Sequence, residues 1–139
     1  TAAALRGGWL RTGDLARERA PGVVELAGRA RDLISRGGNK VSPLAIEQAL
    51  MRHPDVTAAL AAGVPDEVLG ERIHVLLVPR PGATLRAAEV LAFAAAHLER
   101  YRLPDALHLA AELPQGRTGK ADRAGLRTLI LDGALERLE

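Results

Sequence analysis

Leu113-Pro114-Gln115-Gly116-Arg117-Thr118-Gly119-Lys120 is the stretch on which the reading of this chain turns. Pro114, Gly116 and Gly119 interrupt any continuous helix or strand, so the run reads as a turn-rich loop between two regular elements. Thr118 and Gly119 offer backbone N–H groups and Lys120 adds a mobile positive charge, a combination that suits a phosphate or a developing anion. Lysine is also rare here. Of 19 Lys plus Arg residues only positions 40 and 120 are Lys, and both lie in or beside glycine-bearing loops. A compact ammonium is not interchangeable with a forked guanidinium, although two lysines falling in loops by chance would look the same. The run is not a nucleotide P-loop: Pro114 stands where the first glycine is needed, and Ala121 follows the lysine where Ser or Thr belongs.

Outward from this loop, Ala106–Leu109 reads as a short strand, and a helix begins downstream near Asp122, carrying Leu126, Leu129, Ile130, Leu135 and Leu138. Gly125 and Gly133 weaken that helix. Upstream, Thr84 is placed to cap a helix over roughly 85–101, with Ala88, Leu91, Ala95 and Leu98 as its buried stripe and Leu103-Pro104 as its stop. Arg72–Val78 reads as a strand closed by Pro79 and Pro81-Gly82, and Val56–Val64 as a buried strand ended by Pro65. Ser42-Pro43 opens a helix, Ser as N-cap and Pro at the first turn, with Ile46, Ala49, Leu50 and His53 at helical spacing and Pro54 as the stop. Glu47 falls on the other face and reads as solvated. His53 reads as a capping or packing residue. A short strand at Leu33-Ile34-Ser35 precedes Arg36-Gly37-Gly38-Asn39-Lys40, where the glycine pair admits positive φ and close approach of another molecule. From residue 31 the order is strand, helix, strand, strand, helix, strand, loop, helix. That predicts an α+β fold, a small domain with a short three-stranded sheet flanked by helices.

Ahead of it, Leu15-Ala16-Arg17 and Val23-Val24-Glu25-Leu26 flank a Pro21-Gly22 turn and predict a β-hairpin. Trp9-Leu10-Arg11-Thr12-Gly13-Asp14 ends in a turn with a short carboxylate. Asp14 either satisfies local backbone or accepts two hydroxyl hydrogen bonds, as from a ribose diol.

The 139 residues suffice for one domain, or one domain plus a fragment. Hydrophobic residues make up 47% but aromatics only 2%, so the core must come from Ala, Leu and Val. The absence of Cys excludes disulfides and thiolate metal sites and fits a reducing, cytoplasmic setting. The four His show no metal-ligand spacing, and no paired carboxylates call for acid–base chemistry. A net charge of +2 without a polybasic run disfavours nucleic acid. No apolar run approaches the roughly 20 residues of a membrane span. Thr1-Ala2-Ala3-Ala4-Leu5-Arg6 has neither an initiating Met nor a signal-peptide pattern and reads as a cut into a longer chain.

Each element is ordinary alone, but their order and spacing are not. Gly8-Trp9-Leu10-Arg11-Thr12-Gly13-Asp14 resembles a signature of the adenylate-forming superfamily of acyl-CoA synthetases, adenylation domains and luciferases. Gly28-Arg29-x-x-Asp32-Leu33-Ile34, Gly37-Gly38-x-Lys40-Val41-Ser42-Pro43, Ile46-Glu47, His53-Pro54-x-Val56, Val64-Pro65-Asp66 with Gly70-Glu71, Tyr101-Arg102-x-Pro104, and Leu113-Pro114 with Thr118-Gly119-Lys120 and Arg123 continue it. The resemblance runs through nearly the whole chain, to about residue 130.

It implies that 1–30 close a large amino-terminal AMP-binding domain and that 31–139 form the lid that rotates over it. It implies an AMP-forming ligase that joins a carboxylic acid to AMP with ATP and passes the acyl group to CoA, with fatty-acid metabolism as one setting. An adenylation domain loading a carrier-protein thiol is the alternative, and a lid-like module acting as a non-catalytic binding domain is the rival of another class. Mg²⁺ is expected to accompany ATP, with its ligands outside this chain. Residue by residue, Asp14 matches the ribose-binding carboxylate, Arg29 an arginine near ribose and phosphate, and Lys40 a basic position facing the nucleotide. Arg31 matches the hinge, which is usually Asp or Lys. Gly37 and Gly38 match the loop facing the thiol, and Lys120 the catalytic lysine of acyl-adenylate formation. Gln115-Gly116-Arg117 departs from the Arg-Thr-Pro-type run common before that lysine.

Overall fold

The computed structural model describes residues 5–139; Thr1–Ala4, part of the stretch read as a cut into a longer chain, lie outside the described residues. Two short strands, β1 (Leu5–Arg6) and β2 (Trp9–Leu10), pair first. The expected hairpin follows as β3 (Asp14–Ala20) and β4 (Val23–Arg29), a two-stranded sheet of its own. Gly22 takes φ +76° in its turn, a conformation that L side chains resist. Val23, Val24 and Leu26 on β4 are all more than half exposed. A 3₁₀ turn, Ala30–Asp32, leads out of the hairpin.

The remaining strands form one sheet: β5 (Ile34–Arg36), β6 (Asn39–Val41), β7 (Val56–Asp66), β8 (Gly70–Pro79), β9 (Ala106–Leu109) and β10 (Glu136–Arg137). β8 is its axis. β7 pairs with it antiparallel from Val56↔Pro79 to Asp66↔Gly70, and β9 pairs parallel on the other side from His74↔Ala106 to Leu77↔Leu109. A parallel pair needs a crossover, supplied here by α2 (Ala87–His97). The predicted three-stranded sheet is this core. β10 extends it along β9, and the β5–β6 hairpin joins it only through Arg36↔Gly70 at the start of β8.

Side-chain alternation sorts the core into two layers. Ala59, Ala61, Ile73, Val75 and Leu77 face α1 (Pro43–Leu50) and α2, where Ile46, Leu50, Val90 and Ala94 meet them. Leu60, Ala62 and Leu76 face the opposite way, against Leu126 of α3 (Arg123–Leu131). Truncating a fully buried leucine such as Leu126 costs about 2–5 kcal/mol. No helix among the described residues is long and apolar enough to cross a membrane.

Several expectations need correction. α2 starts at Ala87, not beside Thr84, and ends at His97 because Leu98 is extended. Its buried side chains are Val90 and Ala94, while Ala88 and Ala95 are exposed. Gly133, at φ +66°, stops the last helix early, and Leu135 and Leu138 flank β10, packing in different layers of the core. Pro65 lies within β7, tolerated because that strand pairs on one side only. Ser42 occupies the N-cap position of α1, but its hydroxyl donates to the Ala27 carbonyl at 2.6 Å instead of capping. Glu47 is 6% exposed, not solvated.

Candidate functional site

The Lys120 loop is a tight hairpin. Gln115 and Ala121 bridge across it, and Gly116 N–H donates to the Lys120 carbonyl at 2.8 Å. Gly119 N–H returns to the Gly116 carbonyl at 3.0 Å, with Gly119 at φ +78°, and Asp122 N–H closes the base on the Pro114 carbonyl at 2.8 Å. These three bonds close the loop and leave the Lys120 side chain exposed, without an ion pair among the described residues. Asp122 then N-caps α3 by accepting from Gly125 N–H at 2.9 Å.

Immediately downstream lies a group of residues to which the sequence reading gave no role. Arg123 donates to Glu47 of α1 and, at 2.6 Å, to the Ala61 carbonyl of β7, while Glu47 accepts Ala61 N–H at 2.9 Å. Arg127 donates to the Gly63 carbonyl at 2.7 Å. The legible signal was Arg123 recurring with Thr118-Gly119-Lys120 in the motif; nothing in the periodicity of α1 marked Glu47 as its partner.

Arg31 sits in the 3₁₀ turn, exposed, its guanidinium 4.0 Å from the Asp32 carboxylate. Arg31 and Asp32 line one groove of about 430 Å³ with the start of α3. The expected hinge position therefore adjoins the element that follows Lys120. Asp14 and Arg29 are cross-strand partners in the β3–β4 ladder, Arg29 Nε 3.2 Å from Asp14 Oδ1. Gly13, at φ +79°, accepts Ala30 N–H at 2.9 Å and ties the end of the hairpin to its start.

Gly37 and Gly38 form the two-residue turn of the β5–β6 hairpin at φ +56° and +83°, values that favour glycine at both positions. Gly37 N–H donates to the Leu69 carbonyl at 2.9 Å, and the space a Cβ would take at Gly38 has no neighbour within 4 Å. Lys40, opposite Ser35 on this hairpin, donates to the Ser35 hydroxyl. Arg36 makes a two-pronged pair with Asp105, at 2.8 and 2.6 Å, and Asp105 also accepts Ile73 N–H at 2.8 Å. Burial opposes ionisation of Asp105, but the Arg36 and Ile73 hydrogen bonds outweigh it and hold the carboxyl below its ordinary value. The glycine hairpin is thereby anchored to the turn after Tyr101.

The structure brings together Asp14 with Arg29, Arg31 with the start of α3, and Gly37, Gly38 and Lys40 on one hairpin. Among the described residues, no hydrogen bond or ion pair joins these three groups to the Lys120 side chain. No group of three or more His, Asp or Glu among the described residues is placed to hold a metal ion.

Residues 45–120 match the family model of the AMP-binding enzyme C-terminal domain. The chain belongs to this family. Relatives of this AMP-binding C-terminal domain include oxalate–CoA ligase of Arabidopsis thaliana, 38% identical over 116 residues that cover 84% of the chain and 23% of the relative. Sulfoacetate–CoA ligase of Cupriavidus necator is 43% identical over 119 residues, 86% of the chain and 23% of the relative. The 2,3-dihydroxybenzoate-AMP ligase of Bacillus subtilis is 39% identical over 129 residues, 92% and 24%. Among solved structures, ATP-bound MatB from Rhodopseudomonas palustris superposes with a TM-score of 0.85 at 31% identity, over 95% of this chain and 26% of that one. The amide bond synthetase McbA from Marinactinospora thermotolerans gives 0.87 at 34%, over 92% and 26%. The fold is that of the carboxy-terminal domain of adenylate-forming enzymes, and the chain spans about a quarter of the length of these relatives.

Proposed function

We propose that this chain is the carboxy-terminal portion of an AMP-forming acid–thiol ligase. Residues 1–30 close its large domain, and 31–139 are its lid. The observation that carries the reading is the Lys120 loop, closed by three backbone hydrogen bonds while its lysine side chain stays exposed and without an ion pair among the described residues. Attack of a carboxylate on the α-phosphorus of ATP brings two anions together. A cation already held in place stabilises the charge that develops there and needs no reorganisation at the moment of reaction. Lys120 is that cation. Asp14 accepts the ribose hydroxyls, Arg29 stands near ribose and phosphate, and Lys40 faces the nucleotide. Arg31 is the pivot about which one motion withdraws Lys120 and presents the Gly37-Gly38 turn to the thiol. Mg²⁺ would enter with ATP, held by groups outside this chain.

CoA is the acceptor we favour, because oxalate–CoA and sulfoacetate–CoA ligases are among the relatives. Transfer to a carrier-protein thiol is the second reading, kept because another relative, the 2,3-dihydroxybenzoate-AMP ligase, is named for adenylation and for no CoA acceptor. The test uses the full-length enzyme containing this chain, a panel of carboxylic acids, and pyrophosphate exchange followed by transfer to CoA or to a phosphopantetheinylated carrier protein. Acid-dependent exchange with transfer to CoA is expected. Exchange with transfer only to the carrier protein selects the second reading, and no exchange with any acid removes both.

A further inference from the structure

Arg123 opens α3 three residues after Lys120, outside the residues that the family model matches. Its side chain leaves the helix and crosses to two other elements. Nη1 donates to both the Glu47 carboxylate and the Ala61 carbonyl, and Nε lies 3.8 Å from Asp32 Oδ2. Among the described residues β7 pairs only with β8, so Ala61, fully buried, turns an N–H and a carbonyl toward no further strand. Buried backbone groups must find partners. Glu47 takes the N–H and Arg123 takes the carbonyl, together standing in for a missing strand.

We infer that Arg123 is a positioning residue for Lys120. It fixes the first turn of α3, and so the loop that ends there, to the fully buried stretch of β7 at Ala61. Through Asp32 it also ties that loop to the segment beside Arg31. The inference rests on Lys120 being the cation of acyl-adenylate formation. A lysine carried on an unanchored loop spends its time away from the reacting atoms, and a displacement of about 1 Å costs about 100-fold in rate. Lysine at 123 would keep a charge beside Glu47, but a single ammonium lacks the planar fork that serves Glu47, Ala61 and Asp32 together.

The test compares Arg123→Lys with Lys120→Ala and with Leu126→Ala, a packing control on the same helix, in the full-length enzyme. Arg123→Lys, which keeps a charge beside Glu47, is expected to stay folded at the assay temperature and lower kcat for pyrophosphate exchange by about 100-fold. The KM for ATP should stay within about twofold, because the lost interaction belongs to the transition state. Acyl transfer from supplied acyl-adenylate should be unchanged. The pair Glu47→Gln with Arg123→Gln, which removes both buried charges, carries the same expectation if the lysine variant melts early. Leu126→Ala should lower the melting temperature and depress both half-reactions together. Parental kcat in folded Arg123→Lys, or equal loss of both half-reactions, overturns the inference. If Lys120→Ala exchanges pyrophosphate like the parent, the catalytic reading of Lys120 fails and the inference with it. An inactive Lys120→Ala beside a fully active Arg123→Lys overturns the inference alone.

Discussion

Arg29 stands directly across the β3–β4 ladder from Asp14, its Nε 3.2 Å from the Asp14 carboxylate. Both side chains are exposed, 48% and 36%, and an exposed pair of this kind adds at most about 1 kcal/mol to stability. As a structural brace the pair therefore contributes little, and its loss should hardly affect folding.

Asp14→Ala should leave the melting temperature of the purified chain nearly unchanged and weaken ATP binding by the full-length enzyme about tenfold or more, since hydrogen bonds to a charged acceptor are worth about 1.5–3 kcal/mol each. Calorimetric titration with ATP measures it. Parental affinity would return Asp14 to the role of a turn residue.

His74 on β8 and His108 on β9 meet at 3.0 Å, Nδ1 to Nε2, with their rings stacked. Burial, then the neighbouring His108, lowers His74 to about 4. Arg137 and Arg72 act in the same direction, and Asp105 opposes them. A histidine whose folded pKa lies below its unfolded one stabilises the fold fully above the unfolded value. That stability is lost as pH falls through the window from 6.5 to about 4, where the unfolded chain takes the proton first. The melting temperature should fall across this window, and less steeply in His74→Asn. Identical slopes for the two proteins would remove His74 as the cause.

Gly63 faces the carboxylate end of the Glu71 side chain. A Cβ there would meet Glu71 Oε1 at 2.8 Å, and Glu71 Oε2 accepts Ser35 N–H at 2.7 Å at the root of the glycine hairpin. Gly63→Ala should push the Glu71 carboxylate off Ser35 N–H and destabilise by about 0.5–1.5 kcal/mol, the worth of that hydrogen bond. Gly63→Ala with Glu71→Ala should cost less than the two single variants together, because the second change removes the obstruction. Chemical denaturation of the four proteins measures the coupling; simple additivity would refute it.

The parts legible in the sequence were those written in local chemistry. Pro21-Gly22 marked one hairpin, Ser42-Pro43 a helix start, and the alternating apolar residues of 72–78 a central strand. What was missed depended on partners far along the chain. α2 is so rich in alanine that a stripe at Ala88 and Ala95 scored as well as the true one at Val90 and Ala94. Glu47 looked solvated because its partners, Ala61 and Arg123, are 14 and 76 residues away. Leu135 and Leu138 fitted a helical spacing, but the turn at Gly133 and the pairing of Glu136 and Arg137 with β9 place them on either side of a short strand. At the candidate site, the turns that carry Lys120 and the glycine pair were readable from their glycines, whereas the bonds from Arg123 to Glu47 and Ala61 were not.

Lys120 and Gly38 occupy two exposed turns of different construction, and this separates their expected effects. The Lys120 backbone is closed by its own hydrogen bonds, so Lys120→Ala removes a charge and leaves the loop standing. In the full-length enzyme it should abolish pyrophosphate exchange while sparing transfer from supplied acyl-adenylate to CoA. At Gly38 a Cβ would meet nothing within 4 Å among the described residues, although φ +83° makes any side chain strained by about 1 kcal/mol. A bulky residue there, as in Gly38→Leu, starts from an open, exposed position and is expected to obstruct a molecule arriving from outside. It should depress thiol transfer and largely spare exchange. Gly38→Ala separates strain from obstruction, since it carries the same backbone penalty with little bulk. If Gly38→Ala and Gly38→Leu lose transfer equally, strain in the turn is the cause. If Lys120→Ala loses both half-reactions in parallel while remaining folded, the two turns do not divide the reaction between them, and the alternating lid is wrong for this enzyme.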